Sequence, residues 1–90
     1  MRYDWDSEKD NLNLRLHGIS FDEILSAFDD PNALDLADER HSDDEQRYNI
    51  IGITERGLVF VVYTEREDDV IRIISARKAT RNEEQQYVEE

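Results

Sequence analysis

Arg47-Tyr-Asn-Ile-Ile-Gly-Ile-Thr54, Leu58-Val-Phe-Val-Val-Tyr-Thr64 and Val70-Ile-Arg-Ile-Ile-Ser75 decide the fold of this chain. Each run is rich in β-branched and aromatic residues and is bounded by polar, turn-forming ones, the pattern of a strand. Glu55-Arg-Gly57 joins the first two as a short turn in which Gly57 can take a positive φ. Glu65-Arg-Glu-Asp-Asp69 joins the second and third and is hairpin-like in the same way. The spacing predicts three antiparallel strands at the centre of one sheet.

The flanking sequence supplies the rest. Residues 2–5 form a short strand candidate, with Tyr3 and Trp5 alternating against Arg2 and Asp4. Asp6 can cap a helix running to about His17 with Leu12 and Leu16 on one face, and Gly18 gives it a left-handed stop. Ser20-Phe-Asp-Glu23 is a capping box for a second helix that buries Phe21, Ile24, Leu25 and Phe28. Pro31 ends it by disfavouring helical geometry at Asp30. Ala33 to Ala37 alternates weakly, as an edge strand does, and Asp38 to Glu45 is an acidic loop. Thr80-Arg-Asn-Glu83 is a second capping box, opening a C-terminal helix through Tyr87. The order β-α-α-β-β-β-β-α predicts an α+β domain, an antiparallel sheet packed by helices.

Ninety residues make one domain, 1–90, with a core small enough to gain from burial against a partner. There is no cysteine, so disulfides and thiolate chemistry are excluded. The N-terminus is too polar for a signal peptide, and no run is apolar enough to span a membrane. The expectation is a soluble, cytoplasmic protein. The formal net charge is -12, which argues against tight unaided binding to nucleic acid and for a basic protein partner. Against that background, residues 71–81 hold four cations and no acid. Such an island suits either an anion or an ordinary solvated strand end.

Several side chains could carry chemistry. His17 stands at a helix C-terminus, where the dipole favours its charged form, and a capping role is the plainer reading. His41 lies in the acidic loop, without the ligand spacing of a zinc site. Arg72 alternates with Ile71 and Ile73 and so faces away from them, as Arg47 faces away from Tyr48. Were these faces to coincide, Arg47, Arg66, Arg72 and Arg77 would gather guanidiniums where a phosphate could be held bidentately. Cross-strand pairing with Glu45, Glu55 or Glu65 explains them equally well. Tyr3, Trp5, Tyr48, Tyr63 and Tyr87 could stack on bases, but strand aromatics more often fill cores. No nucleophile–base motif, phosphate-cradling glycine loop or dinucleotide fingerprint is present.

Taken together, the blocks Trp5-Asp6-x-x-Lys9, Asn13, His17-Gly18-x-x-Phe21, Asp30-Pro31, Glu45-x-Arg47-Tyr48, Gly52, Val62 to Arg66 and Ile71 to Arg77 with Ala79, Thr80, Glu83 and Tyr87 resemble the BrnT family. That family is the toxin half of BrnT/BrnA toxin–antitoxin pairs. The resemblance covers nearly the whole chain. It implies a RelE/ParE-like fold, with two N-terminal helices and a C-terminal helix on the sheet. It implies metal-independent, cofactor-free ribonuclease activity that stops translation, with an RNA substrate that can be ribosome-associated. It implies neutralisation by a BrnA-like ribbon-helix-helix antitoxin, through which alone the pair would meet operator DNA, and no membrane. Carried over by position, the site residues are Lys9, His17, Glu45, Arg47, Arg66, Arg72 and Arg77. Two departures remove positive charge: Leu16 where the family usually has a basic residue, and the acidic C-terminal stretch Glu83 to Glu90. The alternative reading, from a different class, is a non-catalytic binding module that serves as antitoxin partner or co-repressor.

Overall fold

A computed structural model of the chain describes residues 1–38 and 46–89. The three apolar runs are strands β3 (Arg47–Thr54), β4 (Gly57–Arg66) and β5 (Val70–Lys78). They are preceded by β1 (Arg2–Asp4), helix α1 (Ser7–His17), a 3-10 helix (Phe21–Asp29) and β2 (Leu34–Asp38). Helix α2 (Arg81–Glu89) follows β5. The strands form one sheet in the order β1-β5-β4-β3-β2. All neighbours are antiparallel except β1, which pairs parallel to β5 through Arg2–Val70 to Asp4–Arg72. The sheet is therefore mixed, not antiparallel throughout. Entering parallel lets the chain carry on from β1 into α1 along the same free edge of β5.

One face of the sheet carries the core. Ile50, Val59, Val61, Tyr63, Ile71, Ile73 and Ala76 meet Ile19, Phe21, Ile24 and Ala27 from the helical segments. The 3-10 helix lies across β3 because Gly52 leaves room for it. A Cβ at Gly52 would fall 2.8 Å from the Ala27 carbonyl oxygen and 3.0 Å from its Cβ. Aromatic rings extend this core in a chain of contacts, with centroids 5.3 Å apart for Tyr3–Phe28, 5.1 Å for Phe28–Tyr63 and 5.5 Å for Tyr63–Tyr48. Trp5 meets Phe21 edge-on at 6.0 Å. Filling the core is thus what Tyr3, Trp5, Tyr48 and Tyr63 do.

Helix α1 begins at its Asp6 cap, whose carboxylate accepts from the Glu8 amide at 2.8 Å, and ends at left-handed Gly18. It is not seated by leucines. Leu12, Leu14 and Leu16 are 47%, 47% and 67% exposed. The buried residue is Asn13. Its side-chain amide donates to the carbonyls of Ala76 (2.8 Å) and Ile19 (2.9 Å), and its Oδ1 accepts from the Ala76 amide at 3.1 Å. Asn13 thus supplies β5 with the bonds of a neighbouring strand just past the point where β1 ends, so the helix fills the sheet edge.

On the other face of the sheet, Ile51 is buried yet lies outside the core cluster. Helix α2 packs against β3 there. Its capping box is complete: the Glu83 carboxylate accepts from the Thr80 amide at 2.9 Å and Thr80 Oγ1 accepts from the Glu83 amide at 3.2 Å. Near its other end Tyr87 donates its hydroxyl to Asp30 at 2.8 Å. The rest of this face has no helix of the described residues across it.

Candidate functional site: the arginine face of the sheet

Strand alternation assigns each residue of β3, β4 and β5 to a face, with one interruption. The β4–β5 register shifts between Val62 and Tyr63: Val62 pairs with Ser75, Tyr63 with Ile73, and Ile74 is the extra residue. A β-bulge of this kind resets alternation beyond it. Arg72 and Arg77 are an odd number of residues apart, so a regular strand would send them to opposite faces. The bulge brings both to the face away from the core. Arg77 pairs with Phe60 and Arg72 with Thr64 on β4, and Thr64 pairs in turn with Arg47 on β3. Arg66 follows Thr64 at the next same-face position of β4. Arg47, Arg66, Arg72 and Arg77 therefore share one face.

Their surroundings differ. The Arg77 guanidinium lies 4.3 Å from the Phe60 ring centroid and forks onto Glu83 at 2.8 and 2.9 Å. The bond from Arg77 holds the Glu83 carboxyl below its ordinary range, and the same bond raises Arg77. Among the described residues Arg72 is held by Asp4, at 2.8 Å, in a pair open enough to water that it contributes little and exchanges readily. Arg47 is half-buried and Arg66 exposed at the end of β4.

Helical phase places the two α1 candidates. Asn13 points at the β5 edge, and Asp10 accepts from the Phe21 amide at 2.8 Å on the core side. At 100° per residue, Lys9 falls with Leu12 and Leu16 on the opposite flank, and His17 falls with Asp10 on the core side. His17 is exposed, and the Gly18 carbonyl next to it is taken by Arg56 at 2.8 Å. Glu45 and His41 lie outside the described residues. The structure thus brings Arg47, Arg66, Arg72 and Arg77 to one face, while helical phase turns Lys9 and His17 to opposite flanks of α1.

Two polar residues on this face escape sequence reasoning. Thr64, 1% exposed, and Asn49, 9% exposed, each keep a buried oxygen, Oγ1 and Oδ1, without a hydrogen-bond partner among the described residues. The signal was present as single polar residues inside apolar strands, but the register alone puts them between the arginines.

The class of protein is a small α+β domain with a five-stranded mixed sheet, a helical layer over the core face, and a cationic row beside α2 on the other. The sequence model described as "Ribonuclease toxin, BrnT, of type II toxin-antitoxin system" matches residues 5–83, and the chain belongs to that family. The fold agrees with the crystal structure of the Brucella abortus ribonuclease toxin BrnT, at TM-score 0.70 and 23% identity over 90% of this chain and 99% of that one. No curated protein sequence matches. Members of the family are ribonuclease toxins of type II toxin–antitoxin systems, so an antitoxin is the implied partner. No helix among the described residues is long and apolar enough to cross a membrane.

Proposed function

We propose that this chain is a metal-independent ribonuclease that halts translation and is held inactive by a BrnA-like antitoxin. The observation that carries this reading is the gathering of Arg47, Arg66, Arg72 and Arg77 on one face of the mixed sheet, a sheet we read as RelE/ParE-like. In such a reaction the 2′-oxygen of RNA bonds to the adjacent phosphorus and the 5′-oxygen leaves, giving a cyclic phosphate and a free hydroxyl. Charge builds on the phosphoryl oxygens at the transition state, and guanidiniums fixed nearby lower its energy. Arg72, whose exposed pair with Asp4 is weak, is readily recruited. Of the groups that could take the 2′-hydroxyl proton, Lys9 lies on the flank of α1 away from the core and Glu45 stands two residues before Arg47 in sequence.

The test is expression of the chain alone in bacteria, with RNA cleavage followed in the purified protein. Slowed growth that a BrnA-like protein reverses supports the reading, and Arg72→Ala with Arg77→Ala should abolish it in a folded protein. The other reading, a non-catalytic antitoxin partner or co-repressor, is favoured by the Glu83 fork that already occupies Arg77. Antitoxin binding without toxicity or cleavage would select it.

A further inference from the structure

The row Arg47–Thr64–Arg72 contains an unspent hydroxyl. Its three positions are paired across β3, β4 and β5. The two arginines are thus separated by two strand spacings, roughly 10 Å at the backbone, a distance two guanidinium arms close from either side. Between them Thr64 is 1% exposed, and Oγ1 has no partner among the described residues. A buried polar atom left unpaired costs free energy, and a valine would fill the same space without that cost. The hydroxyl is therefore a loss to the free fold unless something outside it uses the group.

Asn49 repeats the pattern one row along. It pairs with Val62, so it stands diagonally from Thr64 on the same face, and its Oδ1 is buried and unpaired among the described residues. Together the floor offers a donor at Thr64, an acceptor at Asn49 and two cations at its walls. A carboxylate from a protein partner brings acceptors only and would leave Asn49 unanswered. A nucleotide brings phosphate oxygens for Thr64 and the arginines, and a ribose hydroxyl or base N–H for Asn49.

We infer that Thr64 and Asn49 form the floor of a nucleotide subsite walled by Arg47 and Arg72, Thr64 binding a phosphodiester oxygen and Asn49 a donor on the sugar or base. This rests on the RNA-cleaving reading and assigns it two residues that the family resemblance did not. Arg47 and Arg72 occupy the paired positions on either side of Thr64. They are long and flexible, and Arg72 leaves Asp4 for a phosphate at little cost.

The test uses the purified full chain and a short 2′-O-methylated oligoribonucleotide, which lacks the attacking hydroxyl and cannot be cleaved by this chemistry. Affinity is measured by fluorescence anisotropy at low salt, and melting temperature in parallel. Thr64→Val should weaken binding about ten- to hundredfold, the worth of a hydrogen bond to a charged group, with a melting temperature equal to wild type or higher. Thr64→Ser should restore binding, and Asn49→Leu should weaken it. Unchanged affinity in Thr64→Val overturns the assignment, as does a wild type that does not bind. A lower melting temperature in Thr64→Val overturns it too, since the hydroxyl would then be spent inside the fold. Loss of binding to a glutamate-rich peptide, with the oligonucleotide unaffected, gives the row to a protein carboxylate instead. If Thr64-dependent binding persists but RNA is never cleaved, the subsite stands and the catalytic reading falls.

Discussion

Asn13 and Ala76, far apart in sequence, exchange hydrogen bonds in both directions, so that a side chain on α1 completes the edge of β5. Asn13→Ala would orphan the Ala76 amide and carbonyl and free the Ile19 carbonyl at once. Each buried unpaired group costs about 1–3 kcal/mol, and partial access of water to the gap lowers the sum. We expect a loss of about 2–4 kcal/mol in urea unfolding. A change under about 0.5 kcal/mol, ordinary for a surface site, would show that α1 is seated by something else.

Gly52→Ala should be as severe for a steric reason. The added Cβ would meet the Ala27 carbonyl oxygen at 2.8 Å, and that oxygen is backbone and cannot swing aside. Overpacking of this kind costs about 1–3 kcal/mol. Thermal melting checks it, and a compensating Ala27→Gly should recover part of the loss.

Arg77 and Arg72 should differ in how firmly they are held. The Arg77–Glu83 fork is bidentate and half-buried, and the Arg72–Asp4 pair is single and more open. A double-mutant cycle to alanine should return about 1 kcal/mol of coupling for the first, discounted for its exposure, and nearer zero for the second. Equal couplings would contradict the contrast drawn between the two arginines.

Acid should loosen α2 before it touches the core. Two carboxylates anchor the helix, Glu83 through Arg77 and Asp30 through Tyr87. The Arg77 bond lowers Glu83. Burial pushes Asp30 up, but the amides of Ile53 and Asn32 and the Tyr87 hydroxyl bring it down on balance. A folded-state value below the unfolded one stabilises at pH above the unfolded value, and that stability is lost as pH falls through the folded one. The ordinary values are 4.5 and 3.8, so the anchors hold through neutral pH and fail in mild to strong acid. Amide exchange in 81–89 should rise there while that in 59–63 stays slow. Simultaneous loss of both would mean that α2 and the sheet unfold as one unit.

Alkali acts through Tyr63 with the opposite sign. Burial first, then its bond to Asp35, raises the phenol above the ordinary 10.0. The associated stability is complete below that value and disappears as pH climbs past the folded one. Phenolate absorbance should show Tyr63 ionising above that ordinary value and together with unfolding.

Much of the sheet was legible because the strands declare themselves locally. β3 has the boundaries its β-branched run predicts, and Gly57 takes positive φ where the turn needs it. The parallel pairing of β1 was not legible, since nothing near Arg2 names Val70 as its neighbour. Leu12 and Leu16 misled for a related reason. Helical periodicity reports a face, and here the face that mattered held one polar residue whose bonds lie on another strand. Facing along β5 was hidden too, because the extra Ile74 can be seen only as a register shift against β4. Lys9, Arg47, Arg66, Arg72 and Arg77 were nameable from the sequence. That the four arginines share a face, and that Thr64 lies among them, needed the strand order.

The sheet order has a consequence for the timing of synthesis. The first strand waits for the last: β1 has no partner until β5 exists, and the edge that Asn13 completes belongs to that same late strand. Pairings this distant in sequence form slowly, since the loop must be closed before any contact repays it. Chain emerging from the ribosome N-terminus first would thus hold α1, the 3-10 helix and the β3–β4 hairpin without the strand that unites them. Arg72 and Arg77 arrive on that strand, so the cationic row is among the last features of the molecule to come into being.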